Sequence, residues 1–237
     1  MKANKTVIAY VGLEFEGVLL RGVTPVRAGE VWSASLPTSS GSDAIDTYDC
    51  LAEVRSDPLP VVLGENANDF AVRIGTQLLC EMESLEDKVP GGYKILWDEV
   101  EIPPSVHENI INDCKFNRKE IRNILTGEVY KKDPNAWASD KFRGGGMHIN
   151  ISLANMSSAK KVVKLLAHLP HPSGGKLPHR SRYRSPGQYC MTKYESASGF
   201  CHGIEYRSHA FSFTPLGIRH FYHTLAATLN VLNRVME

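Results

Sequence analysis

Apolar and polar residues alternate strictly at four places along the chain, and each place reads as a strand with one face for a core. In YVGLEFEGVL (10–19), Leu13 and Phe15 share one face while Glu14 and Glu16 share the other. In LAEVRS (51–56), Ala52 and Val54 alternate with Glu53 and Arg55. In GMHINIS (146–152), Met147, Ile149 and Ile151 alternate with His148 and Asn150. In GIEYRSH (203–209), Ile204 and Tyr206 alternate with Glu205 and Arg207.

A helical period takes over elsewhere. Phe70, Ile74, Leu78, Met82 and Leu85 predict a helix over 68–86. Val162, Val163, Leu165 and Leu166 give an apolar face to a short helix over 157–168. After Pro215, the residues Ile218, Phe221, Leu225, Leu229 and Leu232 predict a closing helix.

The connections are less regular. The first strand spans 5–21, GVTPVRAGE turns, VWSASLP reads as a short strand, and TSSGSDAIDTYD is a loop. CLAEVRSDPLP reads as a strand stopped by Pro58 and Pro60, and VPGGYKILWDEVEIPP as turn, strand, turn. The segment 105–140 shows a short helix near 105–113 and then a polar stretch rich in Lys and Asn. LPHPSGGKLPHRSRYRSPGQY reads as a long basic loop, and HGIEYRSHAFSF as a last strand. The mixed order and hairpin-like connections predict an α+β fold, a mostly antiparallel curved sheet with helices packed on one side.

Composition narrows the picture. At 237 residues and 42% hydrophobic, the chain is long enough for one sizeable core, and a single domain over 1–237 is expected. A net charge of +1 gives no long-range field for nucleic acid or a membrane surface, and neither is expected as a partner. No apolar run approaches the ~18–20 residues of a membrane span, and MKANKTVIAYVG is too polar for a signal peptide. The five cysteines, Cys50, Cys80, Cys114, Cys190 and Cys201, are scattered and form no CxxC pair. Reduced thiols and a cytoplasmic location are the expectation.

The polar faces carry the chemistry. An E-x-E, H-x-N or E-x-R strand alone marks a solvent-facing edge more often than a site, and a lone E-x-R is a surface ion pair worth ~0–1 kcal/mol. Four such pairs, each with apolar alternates, change the reading. In one sheet they converge as carboxylates, one imidazole and two arginines, with the glycines before His148 allowing close approach to a ligand. Hard oxygen donors with one imidazole suit Mg²⁺ or Mn²⁺ rather than zinc. Arginines beside them suit phosphate, and ATP is the expected co-substrate. The basic loop offers no second phosphate site of the P-loop kind. In SGGK (173–176) the glycine such a loop needs earlier is Pro170, and His168, His171 and His179 are too irregularly spaced for a metal.

GLEFE, GGGMHINISL and GIEYRS resemble the signature strands of the glutamine synthetase and glutamate–cysteine ligase superfamily of carboxylate–amine ligases. The short chain looks most like the phage-type and bacterial amidoligases of that superfamily. The resemblance touches roughly residues 10–60 and 140–220 and leaves the middle unplaced. It implies a glutamine-synthetase-like catalytic fold and an enzyme that uses ATP to join a carboxylate to an amine through an acyl phosphate. It also implies small-molecule or peptide substrates and a cytoplasmic setting, the host's if phage-encoded. Oligomerisation is left open, because some relatives complete their sites across an interface. Carried onto this sequence, Glu14, His148 and Glu205 share one divalent metal, and Glu16 holds a second with Glu53. Asp43, Asp46 and Asp49 compete to join Glu53. Arg207 faces the transferred phosphate, and Arg55 joins it in binding the nucleotide. Arg180 and Arg184, with Arg182 as an alternative, supply further phosphate- and substrate-binding cations, Arg184 and Glu205 also being assigned to catalysis. Asn150 stands where many relatives have a second histidine. A phosphotransferase of the guanidino-kinase kind, or a non-catalytic nucleotide-binding relative, is the alternative.

Overall fold

The computed structural model describes residues 6–32, 51–98, 100–101, 120–131, 142–143, 146–169, 187–193, 199–210 and 213–237. Arg180, Arg182, Arg184, Asp43, Asp46 and Asp49, the short helix expected near 105–113 and most of VWSASLP lie outside these residues.

The organising element is β1 (Val7–Arg21), long enough to be paired along both edges. It is followed by β2 (Thr24–Val26), β3 (Ala52–Arg55), β4 (Leu59–Val62), β5 (Tyr93–Leu96), β6 (Val100–Glu101), β7 (Glu120–Asn123) and β8 (Val129–Lys131). Then come β9 (Phe142–Arg143), β10 (Gly146–Leu153), β11 (Gln188–Lys193) and β12 (His202–Ala210). Ten of these strands form one sheet, in the order β2-β1-β10-β12-β11-β7-β8, with β3, β4 and β5 also paired to β1; β6 and β9 pair separately. Every pairing is antiparallel. The fold is α+β, a large open antiparallel sheet with three α-helices among the described residues.

Local chemistry sets the helix limits. In α1 (Ala67–Glu86), the Asn66 side chain caps the start by accepting from the backbone N–H of Asn68 at 2.9 Å and of Asp69 at 3.1 Å. In α2 (Met156–Leu166), Asn155 accepts from Ser158 N–H at 2.8 Å. In α3 (Pro215–Met236), Thr214 Oγ1 accepts from Gly217 N–H, and Pro215 stands in the first turn, where no donor is missed. The apolar faces of all three helices join Val11, Leu13, Phe15, Val54, Ile149, Ile151, Ile204 and Tyr206 of the sheet in one core. The Tyr206 hydroxyl crosses that core to donate to the Leu166 carbonyl at 3.1 Å. Among the described residues no helix is long and apolar enough to cross a membrane.

Helices α1 and α3 meet closely at Gly75. A Cβ there would stand 2.7 Å from Tyr222 Cε1 and 2.9 Å from Phe221 Cε1. Alanine is the better helix former by about 1 kcal/mol, whereas overpacking a tight core costs about 1–3 kcal/mol. The clash falls on two ring edges packed against each other, so Gly75→Ala is expected to destabilise the protein in urea denaturation. A stabilised variant would show that the rings move aside.

Several connections differ from the sequence reading, β11 among them: Gln188 and Tyr189, read as the end of the basic loop, begin a strand. Pro60 does not stop a strand but lies inside β4, opposite Tyr10. Among the described residues β4 pairs with β1 alone, and an edge position tolerates the missing N–H. The turn after β1 contains the short strand β2. The polar middle contains the hairpin β7–β8, turned through Gly127 at φ 75° and tied by Asn123, whose side chain accepts from Leu125 N–H at 2.9 Å.

Candidate functional site

Strand alternation places Glu14 and Glu16 on the face of β1 opposite Leu13 and Phe15, and register then chooses their neighbours. Glu14 lies opposite His148 on β10 and Arg55 on β3. Glu16 lies opposite Glu53 on β3 and Gly146 on β10, which has no side chain to set against it. Asn150 lies opposite Gly12 on β1 and Glu205 on β12. Between Met147–Ile149 and Tyr206–His209 the register shifts by one residue, a bulge in β12 at the level of His148. Such bulges re-aim side chains beside sites, and here Arg207 turns its guanidinium onto the Glu205 carboxylate. Ser56 fixes β3 to β1 at the same level. Its hydroxyl accepts from Leu13 N–H at 2.8 Å, and its own N–H donates to the Leu13 carbonyl at 2.9 Å.

The result is two overlapping groups of donors. Glu14, His148 and Glu205 each bring a ligand atom to within 4.8 Å of the others, and so do Glu14, Glu16 and Glu53. Within the first group, His148 Nδ1 is 2.8 Å from Glu14 Oε1 and 3.5 Å from Glu205 Oε1. Asn150 Nδ2 stands 3.5 Å from Glu14 Oε2. Arg55 Nε is 3.7 Å from Glu14 Oε2, and the Arg55 guanidinium also meets Glu53. His148, Glu53 and Glu205 are all buried.

Burial raises the Glu14 carboxyl, but the His148 imidazole, Arg55 and Arg207 together outweigh it and hold this group well below the ordinary carboxylate range. Burial lowers His148, Arg207 lowers it further, and Glu14 and Glu16 recover only part, leaving it at about 4. The imidazole is therefore neutral at pH 7. Its Nδ1–H donates to Glu14, so its lone pair sits on Nε2, which is buried and has no hydrogen-bond partner among the described residues. In their ordinary ionised forms Glu14, Glu16, Glu53 and Glu205 bring four negative charges to this face, and among the described residues Arg55 and Arg207 bring positive charge beside them. Buried carboxylates are tolerated where cations meet them. Carboxylate oxygens with one neutral imidazole fit Mg²⁺ or Mn²⁺, and the buried Nε2 lone pair fits a metal ligand better than a surface ion pair.

No protein-family model, curated protein or solved structure matches this chain. The site stands on its own geometry. Of the residues singled out in the sequence, Glu14, Glu16, Glu53, Arg55, His148, Glu205 and Arg207 are brought together on one sheet face. Arg180 and Arg184 lie outside the described residues. Two contributions have no sequence signal: Ser56, whose role depends on where β3 meets β1, and the bulge in β12.

The depressed His148 value has a consequence for stability. The unfolded chain takes up the histidine proton near its ordinary value of 6.5, whereas the folded protein does so only near 4. The unfolded state thus binds more protons over that interval, and stability falls as pH drops from 6.5 towards 4, by on the order of 2–3 kcal/mol. Glu14, also depressed, adds a loss of the same sign at lower pH. Urea midpoints in chelator-treated buffer are expected to decline through this window in the wild type and to decline less in His148→Asn. Parallel curves would show that His148 does not carry the acid sensitivity.

Proposed function

We propose that this protein is an ATP-dependent carboxylate–amine ligase with a glutamine-synthetase-like catalytic fold. The observation that carries the reading is the pair of donor groups sharing Glu14, flanked by two arginines on the same sheet face. Glu14, His148 and Glu205 would hold one divalent ion, and Glu16 and Glu53 with Glu14 a second. Ions so held supply charge neutralisation for the phosphate groups of the nucleotide. In the first step the substrate carboxylate oxygen attacks the γ-phosphorus of ATP and ADP leaves. In the second, the amine nitrogen attacks the acyl carbon. Phosphate departs with the electrons of the C–O bond, the nitrogen loses a proton and an amide remains.

The chain's own residues have defined tasks in this scheme. Arg207, anchored on Glu205 beside the bulge, presents positive charge to the moving phosphoryl group. Asn150 donates to Glu14 Oε2, the oxygen Arg55 also stands beside, and steadies the shared ligand. Glu14, held ionised, keeps its oxygens available as ligands.

Hydroxylamine tests the reading because it traps an acyl phosphate as a hydroxamate. Purified protein, ATP, Mg²⁺ and hydroxylamine are incubated with each common amino acid and with small dicarboxylates in turn. A hydroxamate with equimolar free phosphate is expected for at least one carboxylate. Phosphorylation of an added guanidine without phosphate release would replace the ligase reading with a phosphotransferase. Binding of MgADP with no product from any acceptor would favour a non-catalytic nucleotide-binding protein.

A further inference from the structure

Arg55 is joined to two of the three carboxylates that form the second donor group. Its guanidinium stands 3.7 Å from Glu14 Oε2 and meets Glu53 Oε1, while Glu14 and Glu53 are two of the three carboxylates converging with Glu16. A carboxylate already paired with a guanidinium is a poorer metal ligand, and a positive charge at this distance opposes the arrival of a divalent ion. Two cations therefore contend for one set of carboxylates. Their standing differs in one respect: the Arg55 side chain is 42% exposed whereas Glu53 is 3% exposed. The Glu53 carboxylate is buried in the sheet, whereas part of the Arg55 side chain faces solvent. Arg55 is also the last residue of β3, so its side chain can swing outward without opening the core.

We propose that Arg55 is an internal counter-cation that competes with a divalent ion for Glu14 and Glu53 and turns to the nucleotide's phosphate groups when the ion takes those carboxylates. This rests on the metal–nucleotide site proposed above and adds an exchange of cations to it. The same side chain then opposes metal binding and favours nucleotide binding, which an ordinary supporting ion pair does not do.

Titration with Mn²⁺ alone, followed by the electron paramagnetic resonance of the free ion, separates the two effects. Arg55→Gln is expected to bind Mn²⁺ roughly tenfold more tightly than the wild type, a change equal to about 1.4 kcal/mol. Its calorimetric affinity for MgADP is expected to fall about tenfold. Arg55→Lys, which keeps the charge without the planar fork, is expected to lie between and carries the test if the glutamine variant does not fold. With chelator present, Arg55→Gln should melt below the wild type, because its carboxylates repel one another, and should gain more from added Mn²⁺. Unchanged or weaker Mn²⁺ binding in the variants, with MgADP binding still measurable in the wild type, overturns the competition alone. Absence of Mn²⁺ binding in every protein overturns the metal site itself and the competition with it.

Discussion

Glu205→Gln is expected to lose magnesium-dependent binding of ADP and to slow ATP-dependent ligation by at least ~10²–10³, the usual effect of removing one electrostatic contact to a developing charge. The choice of glutamine matters. Glu205 is buried and holds the buried Arg207, so an alanine would leave a guanidinium without its partner inside the sheet face. Breaking a buried pair in that way costs about 3–5 kcal/mol and would confuse a lost ligand with a lost fold. Glutamine keeps the shape and an oxygen acceptor for Arg207, but it removes the charge that a hard divalent ion needs. Calorimetry with ADP, with and without Mg²⁺, reads the outcome. Wild-type affinity in a folded Glu205→Gln protein would remove Glu205 from the site, and with it the first donor group.

Phe15→Ala is expected to destabilise by about 3–5 kcal/mol, the common cost of emptying a buried aromatic position. Phe15 lies between the two β1 glutamates in sequence and on the opposite face in space, fully buried against Trp97 and Phe213 at ring-centroid distances of 5.9 and 6.2 Å. For a protein of this size the melting temperature should drop by roughly 6–20 °C. Val72 on α1 is 57% exposed, and its alanine variant should stay within about 0.5 kcal/mol of the wild type. If both variants melt together, the apolar face of β1 is not in the core and the assignment of its two faces is wrong.

The parts of the molecule visible in the sequence are those where one short-range period dominates. Leu13 and Phe15 against Glu14 and Glu16 fix the faces of β1, and Phe70 to Leu85 fix α1, without knowledge of any neighbour. Pro60 in β4 misleads because the cost of a proline depends on whether its strand is an edge, which is a property of the sheet. The hairpin β7–β8 is hidden because the polar Asn123 takes a buried position beside Ile121, which leaves one apolar residue to mark the inward face of β7. The sequence offers the candidate ligands of the site but not their partners. Arg55 reads from sequence as a phosphate ligand, and only the register of β3 on β1 shows it beside Glu14. The bulge opposite His148 is likewise invisible, since GIEYRSH reads as an unbroken alternation.

The pairing of Glu14 with His148 joins residues 134 positions apart, and Glu205 lies beyond both. Topologies dominated by such distant pairings close late and fold slowly, because the entropy of a large loop is spent before the contact forms. Local helices such as α1 can appear early in refolding, but a complete set of ligands exists only once β1, β3, β10 and β12 are in register. Cation affinity should therefore arise in the slowest phase of refolding, after most helical signal has returned. Fragments that end before β12 should lack the ion that needs Glu205, however well their helices form.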